Sequence, residues 1–120
     1  SAASDVYKRQ VEEPGRLFDL VVSCEGAQVI ELEIRKGVFV RYADGMLTLD
    51  MGDEGYGRDQ RLIELSELRD LRVLSDTTMV EIFANGGEAA LTSRTYSPAV
   101  PAMELHAEGA ASMNFYRLVH

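Results

Sequence analysis

A chain of 120 residues with 46% hydrophobic content has the size of one ordinary domain and enough apolar material to close its own core. Twenty acids against twelve bases give a net charge of −8, which repels nucleic acid and anionic membrane surfaces; no apolar run approaches the roughly 20 residues of a spanning helix. Cys24 stands alone, which excludes an internal disulfide or a cysteine metal cluster and fits a reducing, cytoplasmic location.

Ser1 to Gln10 show neither helical nor strand periodicity, and Pro14-Gly15 is a breaker. The domain is therefore expected over residues 15–120, with 1–14 as a disordered leader, linker or cloning remnant. Leu17 to Val22 reads as a strand closed by a Glu25-Gly26 turn. Val29 to Ile34 alternates strictly, with Ile30, Leu32 and Ile34 on one face and Val29, Glu31 and Glu33 on the other. Val38 to Tyr42 and Met46 to Asp50 flank Asp44-Gly45, a hairpin signal because both turn residues tolerate positive φ. Gly52 to Gly57 is a glycine- and acid-rich loop, and Arg61 to Leu65 is a short strand. Leu65, Leu68 and Leu71 have the spacing of a helical turn, but the segment is too short to hold a helix alone. A turn leading into a strand over Leu71 to Leu74 is predicted.

Met79 to Ala84 and Ala89 to Ser93 flank Asn85-Gly86-Gly87. A two-residue turn sets Ile82 opposite Ala89 and Val80 opposite Leu91, and a four-residue loop keeps the same residues on one face. A three-residue loop pairs Ile82 with Ala90 and loses part of the apolar match, so an even loop is expected. Pro98 and Pro101 mark a connection. Ala102 to Ala107 and Ser112 to Val119 are the last strands, around Glu108-Gly109. Nine or ten short strands without a sustained helical period predict an all-β chain, a two-sheet antiparallel β-sandwich. The sequence contains no internal repeat of the kind a propeller requires.

Candidate chemistry is sparse. Hydrolysis of a glycoside needs two carboxyl groups facing one sugar, about 5–5.5 Å apart for retention or 6.5–9.5 Å for inversion. Glu31 and Glu33 share a strand face, while Asp50, Asp53, Glu54 and Asp59 crowd a loop; charged residues so placed face water as a rule. That loop lacks the spacing of an EF-hand, and no metal is assigned. His106 lies in an alternating strand and His120 ends the chain. Nothing in their positions sets either beside Cys24 or a serine as a nucleophile–base pair. Gly52, Gly55 and Gly57 precede no Gly-Lys-Ser/Thr, so they are turn glycines, and no cofactor-binding residue is assigned. One strand face is different. With Val80 and Ile82 toward the core, Met79, Glu81 and Phe83 point outward, where two large apolar side chains would be wasted in water. Either a loop of the chain packs over them or they form a contact surface; these three are the candidate contact residues.

Leu71 to Arg94 reads LRVLSDTTMVEIFANGGEAALTSR. Leu71-Arg72, Asp76-Thr77, Val80-Glu81-Ile82-Phe83, Asn85-Gly86-Gly87-Glu88 and Thr92-Ser93-Arg94 follow the order found in the terminal sandwich of glycoside hydrolase family 32. The chain resembles that module of the invertases, or β-fructofuranosidases, and sucrose-6-phosphate hydrolases from about Gly15 to His120. Asp50-Met51-Gly52 and Gly57-Arg58-Asp59, followed by Leu65 to Leu71, look like the sucrose-6-phosphate hydrolase branch. The resemblance implies a non-catalytic C-terminal module whose partner is an N-terminal catalytic propeller of five blades. The family's acids lie in Asn-Asp-Pro, Arg-Asp-Pro and Glu-Cys motifs of that propeller. Here Arg58-Asp59 is followed by Gln60, and Cys24-Glu25 runs in reverse, so no catalytic residue is carried over. The implied role is to brace the propeller or support a homo-oligomer, with Met79, Glu81 and Phe83 as the contact. The alternative is a stand-alone, lectin-like carbohydrate-binding module, which exposed aromatics on one face would favour; the chain has no Trp.

Overall fold

A computed structural model describes residues 6–52 and 60–118. Nine strands form among them: β1 (Val6–Glu12), β2 (Phe18–Arg35), β3 (Val38–Ala43), β4 (Met46–Asp50), β5 (Gln60–Glu64), β6 (Asp70–Ser75), β7 (Met79–Ala84), β8 (Ala89–Arg94) and β9 (Ala102–Arg117). All pairings are antiparallel. A six-stranded sheet runs β5-β4-β3, the second half of β2, the first half of β9, then β1. A five-stranded sheet runs β8-β7-β6, the first half of β2, then the second half of β9. The expected two-sheet β-sandwich is what the chain forms.

Two expected turns are not turns. Glu25-Gly26 lies inside the 18-residue β2, and Glu108-Gly109 inside the 16-residue β9. They fall at the same level of one long antiparallel pair: Glu25 faces Ala110, Val29 faces Glu108, and the register shifts between. A Glu-Gly step permits a bulge as well as a turn. Each strand pairs with the other rather than folding back on itself, and there both pass from one sheet into the next.

The expected leader also needs correction. Val6–Glu12 pairs with β9 from Glu108 back to Ala102, and Tyr7 and Val11 pack against the core. Lys8, Arg9 and Gln10 conceal any apolar alternation, so only the available edge of β9 reveals this strand.

Between the sheets the alternating residues close a continuous core that includes Phe18, Leu20, Ile30, Leu32, Val73 and Ile82, all at or near zero exposure. At a conventional 25 cal/mol per Å² their burial is the main favourable contribution to folding. The Asp44-Gly45 hairpin forms as expected, both residues at positive φ and Ala43 facing Met46. The loop between β7 and β8 has four residues, Asn85 to Glu88, so Ala84 faces Ala89, Ile82 faces Leu91 and Val80 faces Ser93. The even count keeps the apolar match. Asn85 does more than turn the chain: its Oδ1 accepts the Arg69 N–H at 2.7 Å and its Nδ2 donates to the Glu67 carbonyl at 2.9 Å.

Arg35, at the bulged end of β2, is completely buried. Its Nε and Nη2 donate to the Ser97 carbonyl at 2.8 and 2.5 Å. Nη1 reaches the Asp76 carbonyl at 2.7 Å and Ser75 Oγ at 3.2 Å, and Nη2 the Thr77 carbonyl at 3.0 Å. Burial pushes its pKa down from the ordinary arginine value. Carbonyl oxygens of the β6–β7 turn and of the Thr95–Pro98 connection thus solvate a cation brought from the opposite sheet.

Two outcomes follow for urea denaturation. Arg35→Met should lower stability by about 3–5 kcal/mol because it strands buried carbonyls, and Arg35→Lys should recover only part, since an ammonium lacks the planar fork. Gly86 sits at φ +69° with open space where a Cβ would go. Gly86→Val should therefore lose about 1–3 kcal/mol from backbone strain alone, read as a lower midpoint with unchanged slope.

Candidate functional site

The outer surface of the five-stranded sheet is built by the residues that alternate with the core. On β7, Val80 and Ile82 are fully buried while Met79, Glu81 and Phe83 are half-buried on the outer side. Their neighbours follow from the register: Phe83 faces Arg72 on β6 and Ala90 on β8, and Glu81 faces Leu74 and Thr92. Leu74 in turn faces Asp19 on β2, which faces Tyr116 on β9. Asp19 and Arg72 form a two-pronged ion pair, Nε to Oδ1 at 3.0 Å and Nη2 to Oδ2 at 2.8 Å. The pair neutralises itself; the same face also carries Glu81 and, opposite Met79, Arg94.

At one end of this face Leu17, Leu74, Met79 and Leu118 line a pocket of about 280 Å³, with Asp76 and Glu81 on its rim. Tyr116 and Leu118 are 57% and 46% exposed. Leu118 is held there by its N–H to the Leu17 carbonyl, 3.0 Å. The sequence placed Met79, Glu81 and Phe83 together. It missed Leu17, Leu74, Tyr116 and Leu118, which join only because β2, β6 and β9 lie side by side.

The candidate acids are spread out. Glu31 and Glu33 do lie on one outer face of β2, the face of the six-stranded sheet. Asp50 shares Arg41 with Glu31: Nη1 donates to Asp50 Oδ2 at 2.7 Å and Nε to Glu31 Oε2 at 3.1 Å. The Gly52 N–H, then Arg41, hold the Asp50 carboxyl below its ordinary range. A general acid for glycoside cleavage needs the opposite shift. Asp53, Glu54, Asp59, Gly55 and Gly57 lie outside the described residues, as does His120. Among the described residues no three His, Cys, Asp or Glu side chains gather as a metal site.

Cys24 and His106 are on different surfaces. Cys24 faces the core, whereas His106 stands on the outer side of the six-stranded sheet opposite Glu31. Burial, then the nearby Asp70 carboxylate, pushes the Cys24 thiol up to about 11. A second pocket, about 440 Å³, is lined by Gln28, Tyr42, Asp44, Glu67 and Arg69 among others. Three of its polar side chains are committed, Tyr42 Oη to the Leu65 carbonyl at 2.8 Å and Arg69 to Glu67 at 2.5 Å.

Residues 33–118 match the family described as glycosyl hydrolases family 32 C terminal. No curated protein matches the sequence. The structure is similar to part of the exo-inulinase of Aspergillus awamori, with a TM-score of 0.75 at 16% identity, over 98% of this chain and 29% of that one. A similar match to the family 32 β-fructofuranosidase of Bombyx mori has a TM-score of 0.64 at 17% identity, over 92% and 25%. The chain thus spans under a third of either hydrolase. A homodimeric agglutinin from chicken liver is matched along its whole length, with a TM-score of 0.60 at 8% identity, over 92% of this chain.

The raised Cys24 pKa has a definite sign. The folded state keeps the thiol protonated where the unfolded chain releases it, so this stabilisation is complete below pH 9 and is lost as pH rises toward about 11. Stability measured across that window should fall less steeply in Cys24→Ala than in the parent chain. At pH 8 a disulfide reagent should label Cys24 far more slowly in the folded chain than in urea.

Proposed function

The chain belongs to the C-terminal family of the family 32 glycosyl hydrolases, and from that we propose that it is the non-catalytic module of a β-fructofuranosidase, cleaving sucrose or sucrose 6-phosphate. It braces the N-terminal catalytic propeller through the outer face of its five-stranded sheet. The observation that carries this reading is the face itself. Met79 and Phe83 sit beside the self-neutralised Asp19–Arg72 pair, continuous with Leu74, Tyr116 and Leu118. A surface of that composition gains by burial against another domain when Glu81 and Arg94, which lie on the same face, stay at its rim or meet opposite charge across the contact. The family 32 hydrolases that share the fold have most of their length beyond the matched part, which supports a covalently joined partner. A second copy of the chain is the competing occupant.

A second reading, carbohydrate binding, is favoured by two observations. The agglutinin is matched over its full length, and the six-stranded sheet presents a polar, ordered outer face.

By itself the 120-residue chain should release no fructose from sucrose or sucrose 6-phosphate; activity that survives purification would overturn the proposal. In the complete hydrolase, Phe83→Asp should weaken docking by about 2–4 kcal/mol, because a carboxylate is buried without a partner. The readout is a lower inactivation temperature with kcat per folded molecule nearly unchanged. The isolated chain should keep its unfolding free energy to within about 1 kcal/mol. If Phe83→Asp unfolds the isolated chain, Phe83 belongs to the core and the contact fails.

A further inference from the structure

Away from the core, the six-stranded sheet carries an unbroken file of side chains. Lys8, His106, Glu31, Arg41, Thr48 and Leu62 are successive cross-strand partners on β1, β9, β2, β3, β4 and β5. Arg41 is at its centre and is fixed from three sides. Glu31 and Asp50 accept from its Nε and Nη1, and its guanidinium carbon lies 4.5 Å from the Phe39 ring centroid. Asp50 is itself held by the Gly52 N–H at 2.9 Å. An arginine has five N–H donors. Two are used here, so three are left without a partner among the described residues.

This is an ordered array of charged donors and acceptors that is still open to solvent: Arg41 is 36% and Glu31 53% exposed at the side chain. Neighbouring sugar hydroxyls each donate and accept a hydrogen bond, and charged planar groups set side by side satisfy them in pairs. Because the array is already held in place, binding costs little further side-chain order. Leu62, 56% exposed beside Thr48, supplies apolar area for a sugar's C–H face. Glu31, Glu33 and Asp50 outnumber Arg41 and Lys8 here, which disfavours a phosphorylated ligand.

The geometry points to this file, centred on Arg41, as a binding site for a neutral oligosaccharide; the assignment rests on the carbohydrate-binding reading above and names its residues. The test titrates the ¹⁵N-labelled chain with fructosylnystose and, separately, with lactose, each into the tens of millimolar. Saturable amide shifts are expected at Phe39, Arg41, Thr48 and Asp50. Arg41→Lys, which keeps the charge and loses the planar fork, should weaken binding at least tenfold with the unfolding midpoint retained. Thr48→Val serves as the second variant should Arg41→Lys fail to fold. Saturation by fructosylnystose alone identifies a fructan-type ligand, and by lactose alone a galactoside; either supports the site. No saturable shift with either sugar overturns the site and the carbohydrate-binding reading together. Binding whose shifts lie elsewhere, or that survives the variants, overturns the site and leaves that reading standing.

Discussion

Antiparallel pairing of β2 with β9 runs the length of the sandwich, from Phe18 opposite Arg117 to Leu32 opposite Leu105, and both strands belong to both sheets. Every other strand hangs from this pair. β3, β4 and β5 extend one sheet from the second half of β2, β6, β7 and β8 extend the other from its first half, and β1 closes the remaining edge of β9. Sheets that share two strands cannot slide or separate without breaking a continuous hydrogen-bonded ladder. The coincident irregularity at Glu25 to Val29 is what lets the ladder cross between layers instead of remaining flat.

Arg35 secures the same arrangement from within. A buried cation with no carboxylate in hydrogen-bond contact is tolerable only if oxygen dipoles replace its water, and three carbonyls and a hydroxyl do so here. Because those oxygens belong to the β6–β7 turn and the Thr95–Pro98 connection, the guanidinium fixes where β7 begins. Met79 and the pocket it shares with Leu17, Leu74 and Leu118 are placed by the same contacts.

The two outer faces thereby acquire different chemistry. On the five-stranded sheet the Asp19–Arg72 pair neutralises itself, and Glu81 and Arg94 lie among Met79, Phe83, Leu74 and Tyr116. On the six-stranded sheet Arg41 organises carboxylates that stay in contact with water. Asp50, held in its ionised form by donors, is arranged to accept hydrogen bonds rather than to deliver a proton. A module whose two faces differ in this way can be fixed to a catalytic domain on one side and meet solutes on the other.

The strands from β3 to β8, the Asp44-Gly45 hairpin and the core-facing choice of Val80 and Ile82 were readable from alternation, because which side a residue faces depends on its immediate neighbours. The same alternation put Met79, Glu81 and Phe83 on one outer face. The match of Leu71 to Arg94 with a known module likewise lies in consecutive residues. Four features were not readable. Glu25-Gly26 and Glu108-Gly109 look like turns in isolation, and only their meeting across β2 and β9 makes them a crossing. Val6–Glu12 has no strand pattern until β9 offers an edge. Arg35 follows Ile34 in a strand whose phase would send it outward, until a bulge turns it into the core. Arg41, Glu31 and Asp50 come together from three strands. Local sequence determines a residue's face through backbone periodicity; which distant segment shares that face is decided by long-range pairing, which no local pattern encodes.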